Sequence, residues 1–359
     1  MWNELPLDLL AHVFSYLPPT SLARAMSTCT HWQACARSSS TPSHAHPPWL
    51  LAMPSRGSIH CCYALDPSLQ RWHSLSLRFI PYSIRPLGPV GPGLILCKLA
   101  SSVSSLRLAL CNPFSKQFRL LPCLSKPRSN PAVGFITSED SSSFRVFVAG
   151  GTSGACCYES TLEVYDSRDG DWRHAGTMPV EFAVRLTVWT PNESVHAGGT
   201  IYWMTSARAY SVVGFDVGSG SWREVRAPMA DRLAWAALVQ TRDVERIGLV
   251  GGVSEGEACI WELVDGDEWE LVGEVPVELG RRFWSRKGSW GATRCVGSDK
   301  ALYLFSDLGS EMLVWRSEGK GSDQWEWVLV QGFSGNEEAL IPKCNIPIRA
   351  VLLRPVLSS

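Results

Sequence analysis

The sequence predicts a mainly β protein built from six repeats and preceded by a small helical module. Three observations support this fold class. Apolar residues follow helical spacing within residues 4–37, whereas short apolar runs separated by Gly, Pro, Ser and Asp fill residues 49–355. A polar, proline-rich segment at residues 38–48 separates the two parts and is expected to be a linker. From residue 62 onward, one pattern recurs roughly every 50 residues.

Three short helices are predicted within residues 1–37. Pro6 suits the first turn of a helix, because its missing N–H would have no partner there. Pro18 ends this helix, a second short helix follows, and a third covers residues 30–37. The apolar stripe of the first helix consists of Leu5, Leu9, Leu10, Val13, Phe14 and Leu17. A helical segment of this size buries too little surface to be stable alone, so its stripe needs the β part or a partner protein.

Composition and charge narrow the class of protein. The 359 residues include 33 Lys and Arg and 34 Asp and Glu, a net charge of −1 that gives no reason to expect nucleic acid or a membrane as partner. The 12 cysteines include no Cys-x-x-Cys pair and are expected to be free thiols in a reducing compartment. The sequence predicts no signal peptide and no membrane-spanning helix. We therefore expect a protein of the cytoplasm or the nucleus.

Each repeat joins an apolar strand to an acidic or amide residue, a polar turn and an aromatic residue. Five copies are Asp66 with Trp72, Asn112 with Phe118, Asp166 with Trp172, Asp216 with Trp222, and Glu262 with Trp269. The sixth copy has Trp315-Arg316 where the others have the acid or amide, and a longer turn leads to Trp325 and Trp327. Double glycines precede three of them, at 150–151, 198–199 and 251–252. The acid or amide can accept hydrogen bonds from backbone N–H groups of the turn, and the ring can pack between neighbouring sheets.

This repeat of Gly-Gly, Tyr-Asp and Trp resembles the kelch family. The resemblance implies a six-bladed kelch-type β-propeller over residues 49–355, with one four-stranded blade for each repeat. The first copy lacks an innermost strand, and we expect residues 347–353 to supply it and so close the ring. No helix is expected beyond residue 48.

Short motifs follow one another in the helical module: Leu5-Pro6, Val13-Phe14, Leu17-Pro18, Ser21-Leu22-Ala23-Arg24 and Cys29-Thr30-His31-Trp32. In this order and spacing they resemble the F-box, which implies docking on a Skp-family adaptor and, through it, on a cullin ubiquitin ligase. The resemblance assigns the adaptor contacts to Leu5, Pro6, Leu9, Leu10, Val13, Leu17 and Pro18. The alternative is a helical cap on the propeller, but the linker favours a partner. An F-box followed by kelch repeats is common in plants, which indicates a plant source.

Catalytic and metal-binding groups do not converge in the sequence. The four histidines of the propeller lie in different repeats, which argues against a copper oxidase on a kelch propeller. His44 and His46 lie between prolines in the linker and are expected to be solvated. We predict a protein with no catalytic residue, metal or cofactor.

Basic residues are concentrated in the loops expected on one face of the propeller. Arginine clusters can hold carboxylates or phosphates, and tryptophan often anchors a binding surface. The candidate target-binding residues are Arg185, Arg208, Arg232, Arg281, Arg282, Trp284, Arg286 and Trp290. Two alternatives stay open: solvated charges offset by acidic neighbours, and a nuclear localisation signal at 281–287.

These elements predict the substrate-recognition subunit of an SCF-type cullin-RING ubiquitin ligase, whose propeller holds an unknown protein target for ubiquitination. The alternative is a propeller scaffold for protein interactions that has no role in ubiquitination.

Overall fold

The structure is a computed structural model. It describes residues 6–17, 19–38, 47–55, 60–100, 105–138, 140–153, 157–188, 194–206, 209–241, 245–254, 257–265, 267–285, 290–317, 325–333 and 346–355. Most of the predicted linker, residues 39–46, lies outside this part of the chain. None of the helices in the described ranges is long and apolar enough to span a membrane.

The N-terminal module consists of α1 (Leu7–Ser15), α2 (Pro19–Met26) and α3 (Thr30–Ser38). Pro6 precedes the first turn of α1 and accepts a hydrogen bond from the backbone N–H of Leu10 at 3.0 Å. The three helices enclose a small core of Leu10, Phe14, Ala25, Cys35 and Ala36. The module therefore buries one side of its apolar stripe in its own core.

Six four-stranded antiparallel sheets follow, one for each predicted repeat. Blade 1 contains β1 (Trp49–Pro54), β2 (Cys61–Asp66) and β3 (Arg71–Ser76), and blade 2 contains β4 (Ile84–Gly91), β5 (Leu94–Leu99), β6 (Leu108–Asn112) and β7 (Gln117–Leu120). Blade 3 contains β8 (Ala132–Thr137), β9 (Phe144–Ala149), β12 (Thr161–Asp166) and β13 (Asp171–Thr177), with an inserted hairpin of β10 (Thr152–Ser153) and β11 (Cys157–Tyr158).

The other three blades have the same plan. Blade 4 contains β14 (Ser194–Ala197), β15 (Thr200–Ser206), β16 (Tyr210–Asp216) and β17 (Trp222–Arg226), and blade 5 contains β18 (Trp235–Gln240), β19 (Ile247–Ser254), β20 (Glu257–Val264) and β21 (Glu268–Glu274). Blade 6 contains β22 (Arg294–Gly297), β23 (Ala301–Phe305), β24 (Met312–Ser317) and β25 (Trp325–Val330), and the last strand is β26 (Ile348–Leu353). The prediction of a six-bladed, mainly β propeller is confirmed.

The ring closes between the two ends of the propeller. β26 pairs antiparallel with β1, from Trp49 opposite Leu353 to Pro54 opposite Ile348, and it takes the innermost position of blade 1. This is the pairing that the missing strand of the first repeat predicts. It joins the first and last strands of the propeller through a full ladder of backbone hydrogen bonds.

The repeated residues have the structural roles that their chemistry predicts. Asp66 Oδ1 accepts hydrogen bonds from the backbone N–H groups of Ser68 and Leu69 at 2.9 and 3.3 Å, and Asn112 Oδ1 accepts equivalent bonds in its own turn. Three of the repeated tryptophans donate from Nε1 to a backbone carbonyl at the end of the preceding blade: Trp72 to Gln331 at 3.1 Å, Trp172 to Pro122 at 3.0 Å and Trp269 to Arg226 at 2.9 Å. One ring in each of these repeats thus joins two blades.

Two α-helices within the described residues lie in the connections between blades, contrary to the expectation of no helix beyond residue 48. They are α4 (Val180–Val188), between blades 3 and 4, and α5 (Val277–Ser285), between blades 5 and 6. In α4, Phe182 and Leu186 are one turn apart and both are buried. The expectation was wrong because each helix has only nine residues and presents a short apolar face, which sequence periodicity detects poorly.

The two ends of the propeller differ in the loops that they carry. Ile84 of β4 pairs with Leu99 of β5, and Arg294 of β22 pairs with Phe305 of β23, so each innermost strand starts beside the end of the second strand. We call this end the upper face. It carries the connections between blades, including α4 and α5, and the loops between the second and third strands.

Candidate functional site

The first helix presents an apolar face that the described residues leave uncovered. Leu9, Val13 and Tyr16 are 51%, 48% and 71% exposed, and Leu7 is 56% exposed. Residues 9, 13 and 16 lie at the spacing that places side chains on one side of a helix. Leu10 and Phe14, on the other side, are 1% and 2% exposed. The core of the module is therefore complete while its outer apolar stripe is available to a partner.

The predicted adaptor-binding residues lie in different environments in the structure. Leu9 and Val13 lie on the outer stripe, Pro6 is exposed at the start of α1, and Leu17 is half-buried against the core of the module. Leu10 requires a correction: it is buried among the three helices, so it supports the outer stripe from within. Leu5 and Pro18 lie outside the described residues.

One exposed residue of this stripe escaped the sequence analysis. Tyr16 extends the outer face of α1 at its C-terminal end, whereas Leu7, two residues before Leu9, is exposed on another side of the helix. The spacing of three residues between Val13 and Tyr16 was the available signal. The family motif contains Leu17 and not Tyr16, so Leu17 was selected instead.

Two of the predicted target-binding arginines are held by carboxylates. Arg185 of α4 donates from both terminal nitrogens to the Glu224 carboxylate, at 2.7 and 2.6 Å, and these bonds lower the pKa of Glu224. Arg282 of α5 donates from Nε to Glu311 Oε2 at 3.1 Å, and the Glu311 side chain is only 7% exposed. Both arginines therefore anchor their helices to the next blade, which limits what they can offer a target.

Trp290 also needs a correction, because it is a core residue. It is 2% exposed and stacks on Trp235, with ring centroids 6.2 Å apart. Gly252 of the third double glycine makes room for it, since a Cβ at that position would lie 2.6 Å from the indole ring. Trp290 cannot act as a surface anchor for a target.

The remaining predicted residues do not form one surface. Trp284 is half-buried, and Arg281 is exposed with Glu278 at 3.3 Å. Arg232 is exposed in the connection between blades 4 and 5, one connection away from α5. Arg208 and Arg286 lie outside the described residues. The set is spread over three connections between blades.

A different group of cations lies nearer the axis. Arg85, Arg294 and Arg349 occupy the first or second position of β4, β22 and β26, which are innermost strands. The sequence analysis selected none of these three arginines. The available signal was their position at the start of the first strand of a repeat.

The described part of the chain gives little support for a metal site or a reactive cysteine. No three His, Cys, Asp or Glu side chains within it meet in a way that suits a metal ion. Cys62, Cys97 and Cys111 share the core between blades 1 and 2, where burial raises the pKa of each thiol, that of Cys111 to about 12. Buried thiols of this kind stay protonated and unreactive.

Comparison with known families agrees with this architecture. Residues 2–41 match the model of F-box-like domains, and residues 90–242 match the model of the F-box associated beta propeller domain. The chain therefore combines an F-box-like domain with an F-box associated β-propeller domain, and its relatives are plant F-box and F-box/kelch-repeat proteins.

Three relatives from Arabidopsis thaliana illustrate the likeness. F-box only protein 6 is 28% identical over 87% of this chain and 66% of its own length, so this chain spans slightly less than two thirds of it. Protein UNUSUAL FLORAL ORGANS is 24% identical over 94% of this chain and 80% of its own length. An F-box/kelch-repeat protein is 28% identical over 79% of this chain and 72% of its own length. Among solved structures, the SapL1 lectin aligns with a TM-score of 0.46 and 14% identity over 80% of this chain and 96% of the lectin, a likeness too distant to indicate function.

Proposed function

We propose that this protein is a non-enzymatic substrate receptor of an SCF-type cullin-RING ubiquitin ligase. In this proposal, the F-box docks on a Skp-family adaptor and the propeller holds a protein target for ubiquitination. The observation that carries it is the outer stripe of α1, where Leu9, Val13 and Tyr16 are exposed although the module already has its own core. Exposed apolar patches of this kind mark protein interaction sites.

The test is binding between the purified full chain and a Skp-family adaptor, measured by calorimetry. The variant Leu9→Asp/Val13→Asp places two carboxylates on the stripe. Burying the exposed half of these two side chains contributes about 2 kcal/mol, before the cost of desolvating the carboxylates. The affinity should therefore fall at least roughly thirtyfold.

The matched control is Leu69→Asp, which makes the same change at a leucine of the propeller that is 57% exposed. Adaptor binding should not change in this variant. A folded wild-type chain that does not bind the adaptor would refute the ligase role and leave the protein an interaction scaffold. Equal binding by the stripe variant and the control would show that α1 is not the docking element.

A further inference from the structure

The upper end of the propeller axis carries positive charge on three neighbouring blades. Arg294 starts the innermost strand of blade 6, and Arg349 and Arg85 are the second residues of the innermost strands of blades 1 and 2. Ring closure makes these blades consecutive, because β26 lies beside β1 as the innermost strand of blade 1. Residues far apart in the sequence thus form one arc around half of the upper end of the axis, which we call the channel mouth.

The innermost strands themselves contain no acidic residue. The six strands β4, β8, β14, β18, β22 and β26 contain three arginines and one histidine but no Asp or Glu. Within the described residues, Arg294 forms no ion pair. Its side chain is half-buried, as are those of Arg85 and Arg349. Because Arg294 is a half-buried cation with no ion-pair partner among the described residues, its position favours the binding of an anion.

Blade 2 adds a second cation directly beside the arc. Lys98 of β5 lies opposite Arg85 in the strand register, so both side chains project from the same face of the sheet. Burial and the charge of Arg85 lower the pKa of Lys98. Lys98 has no ion-pair partner within the described ranges. Like charges directly opposite each other destabilise a sheet, and a bound anion would remove that cost.

We propose that Arg85, Lys98, Arg294 and Arg349 form a binding site for a short acidic segment of the target protein. This inference rests on the proposed function and specifies the kind of target that the propeller holds. Carboxylates of the segment would accept charge-assisted hydrogen bonds from the guanidinium groups at the channel mouth. The segment enters from the upper face, where the three innermost strands begin.

The outer part of the upper face favours a peptide over a nucleic acid. Exposed carboxylates lie on α4, on α5 and in other upper-face loops: Glu181, Asp231, Glu257 and Glu278. An extended polyanion that covered this face would meet these carboxylates, whereas a short acidic segment at the axis would not.

The test uses the full chain and a fluorescein-labelled peptide of ten glutamates, followed by fluorescence anisotropy. An oligoglutamine peptide is the neutral probe, a peptide alternating glutamate and phosphoserine tests phosphate against carboxylate, and an oligothymidylate represents nucleic acid. The variant is Arg294→Gln/Arg349→Gln. The matched control is Arg119→Gln/Arg173→Gln, which removes the same charge from exposed positions on the outermost strands β7 and β13.

The wild-type chain should bind the glutamate peptide but not oligoglutamine. Its affinity for the glutamate peptide should fall as salt is added. The arc variant should bind the glutamate peptide at least tenfold more weakly, and the control should stay within twofold of the wild type. Tighter binding of the phosphoserine peptide, with the same dependence on the arc, would support the site and indicate a phosphorylated target. Equal affinity of the arc variant and the wild type, or preferred binding of oligothymidylate, would overturn the proposal.

Two further measurements keep the test decisive. Lys98→Met should weaken peptide binding without loss of thermal stability, so it tests the site even where the arc variant is unstable. Adaptor binding by the arc variant should equal that of the wild type. A chain that binds the adaptor but not the glutamate peptide would refute the acidic-segment site and leave the receptor proposal standing.

Discussion

The buried ion pair of blade 3 allows a stability prediction whose size follows from the contacts. Arg128 is fully buried, and its Nη1 donates to the carbonyl oxygens of Gly150 and Thr161 at 3.2 and 2.7 Å. Its Nη2 donates to Glu163 Oε1, and the Glu163 carboxylate also accepts from the backbone N–H of Ser125 at 2.8 Å. One arginine thus ties the connection after blade 2 to the second and third strands of blade 3.

Arg128→Met removes the three hydrogen bonds that the guanidinium group donates and leaves the Glu163 charge buried without its cation. Removing one partner of a buried pair costs about 3–5 kcal/mol. The double variant Arg128→Met/Glu163→Gln leaves no buried charge, and the glutamine oxygen can still accept from the backbone. We therefore expect the double variant to lose less stability than Arg128→Met alone.

The assay is urea unfolding of the full chain, followed by tryptophan fluorescence and circular dichroism. Arg119→Gln serves as an exposed control and should change the free energy of unfolding by less than about 0.5 kcal/mol. A cost below about 1 kcal/mol for Arg128→Met would refute the reasoning. So would a double variant whose cost equals the sum of the two single changes, because the pair would then be uncoupled.

Three more predictions concern single side chains. Leu10→Ala should lower the stability of the helical module by about 2–5 kcal/mol, measured by thermal unfolding, because Leu10 is a core residue; Leu9→Ala should leave stability nearly unchanged and weaken adaptor binding. Lys98→Met should raise the free energy of unfolding in urea by up to about 1 kcal/mol, since it removes a like-charge pair; a loss of stability would contradict this account. Burial lowers the pKa of His73 below its ordinary value, so the unfolded chain takes up a proton first as the pH falls. The free energy of unfolding should therefore drop as the pH falls below about 6.5, and His73→Phe should weaken this dependence in a pH series of urea unfolding curves.

Residues that repeat with a fixed chemistry made the propeller predictable. Asp66 and Asn112 occupy equivalent turns, and Trp72, Trp172 and Trp269 make the same bond to the preceding blade. A local pattern of this kind needs no knowledge of distant contacts. The closing strand was predictable for a related reason, since the first repeat lacked a strand and the C-terminus held an unused one.

Features that depend on distant packing were not predictable. The sequence of α4 contains Val180, Val184 and Val188, and valine favours strands, so only the packing of Phe182 and Leu186 against the blades selects a helix. The sequence alone does not show that the Trp290 ring packs over Gly252 in the core, so it indicates a surface anchor instead. The outer stripe of α1 was predicted in part, because the family motif does not separate Leu9 from Leu10. Their opposite exposure follows from the packing of α1 on the other helices.

The two proposed surfaces share no residue, and under the proposed function this separation makes adaptor binding and target binding independent. The outer stripe of α1 belongs to a module with its own core, whereas the basic arc is formed by the first residues of innermost strands on blades 6, 1 and 2. Substitutions at sites without shared partners usually have additive effects. Loss of adaptor binding through Leu9 and loss of acidic-segment binding through Arg294 should therefore combine without coupling. Under the proposed function, substitution of a few residues at the channel mouth would therefore change the target while the connection to the ligase stays the same.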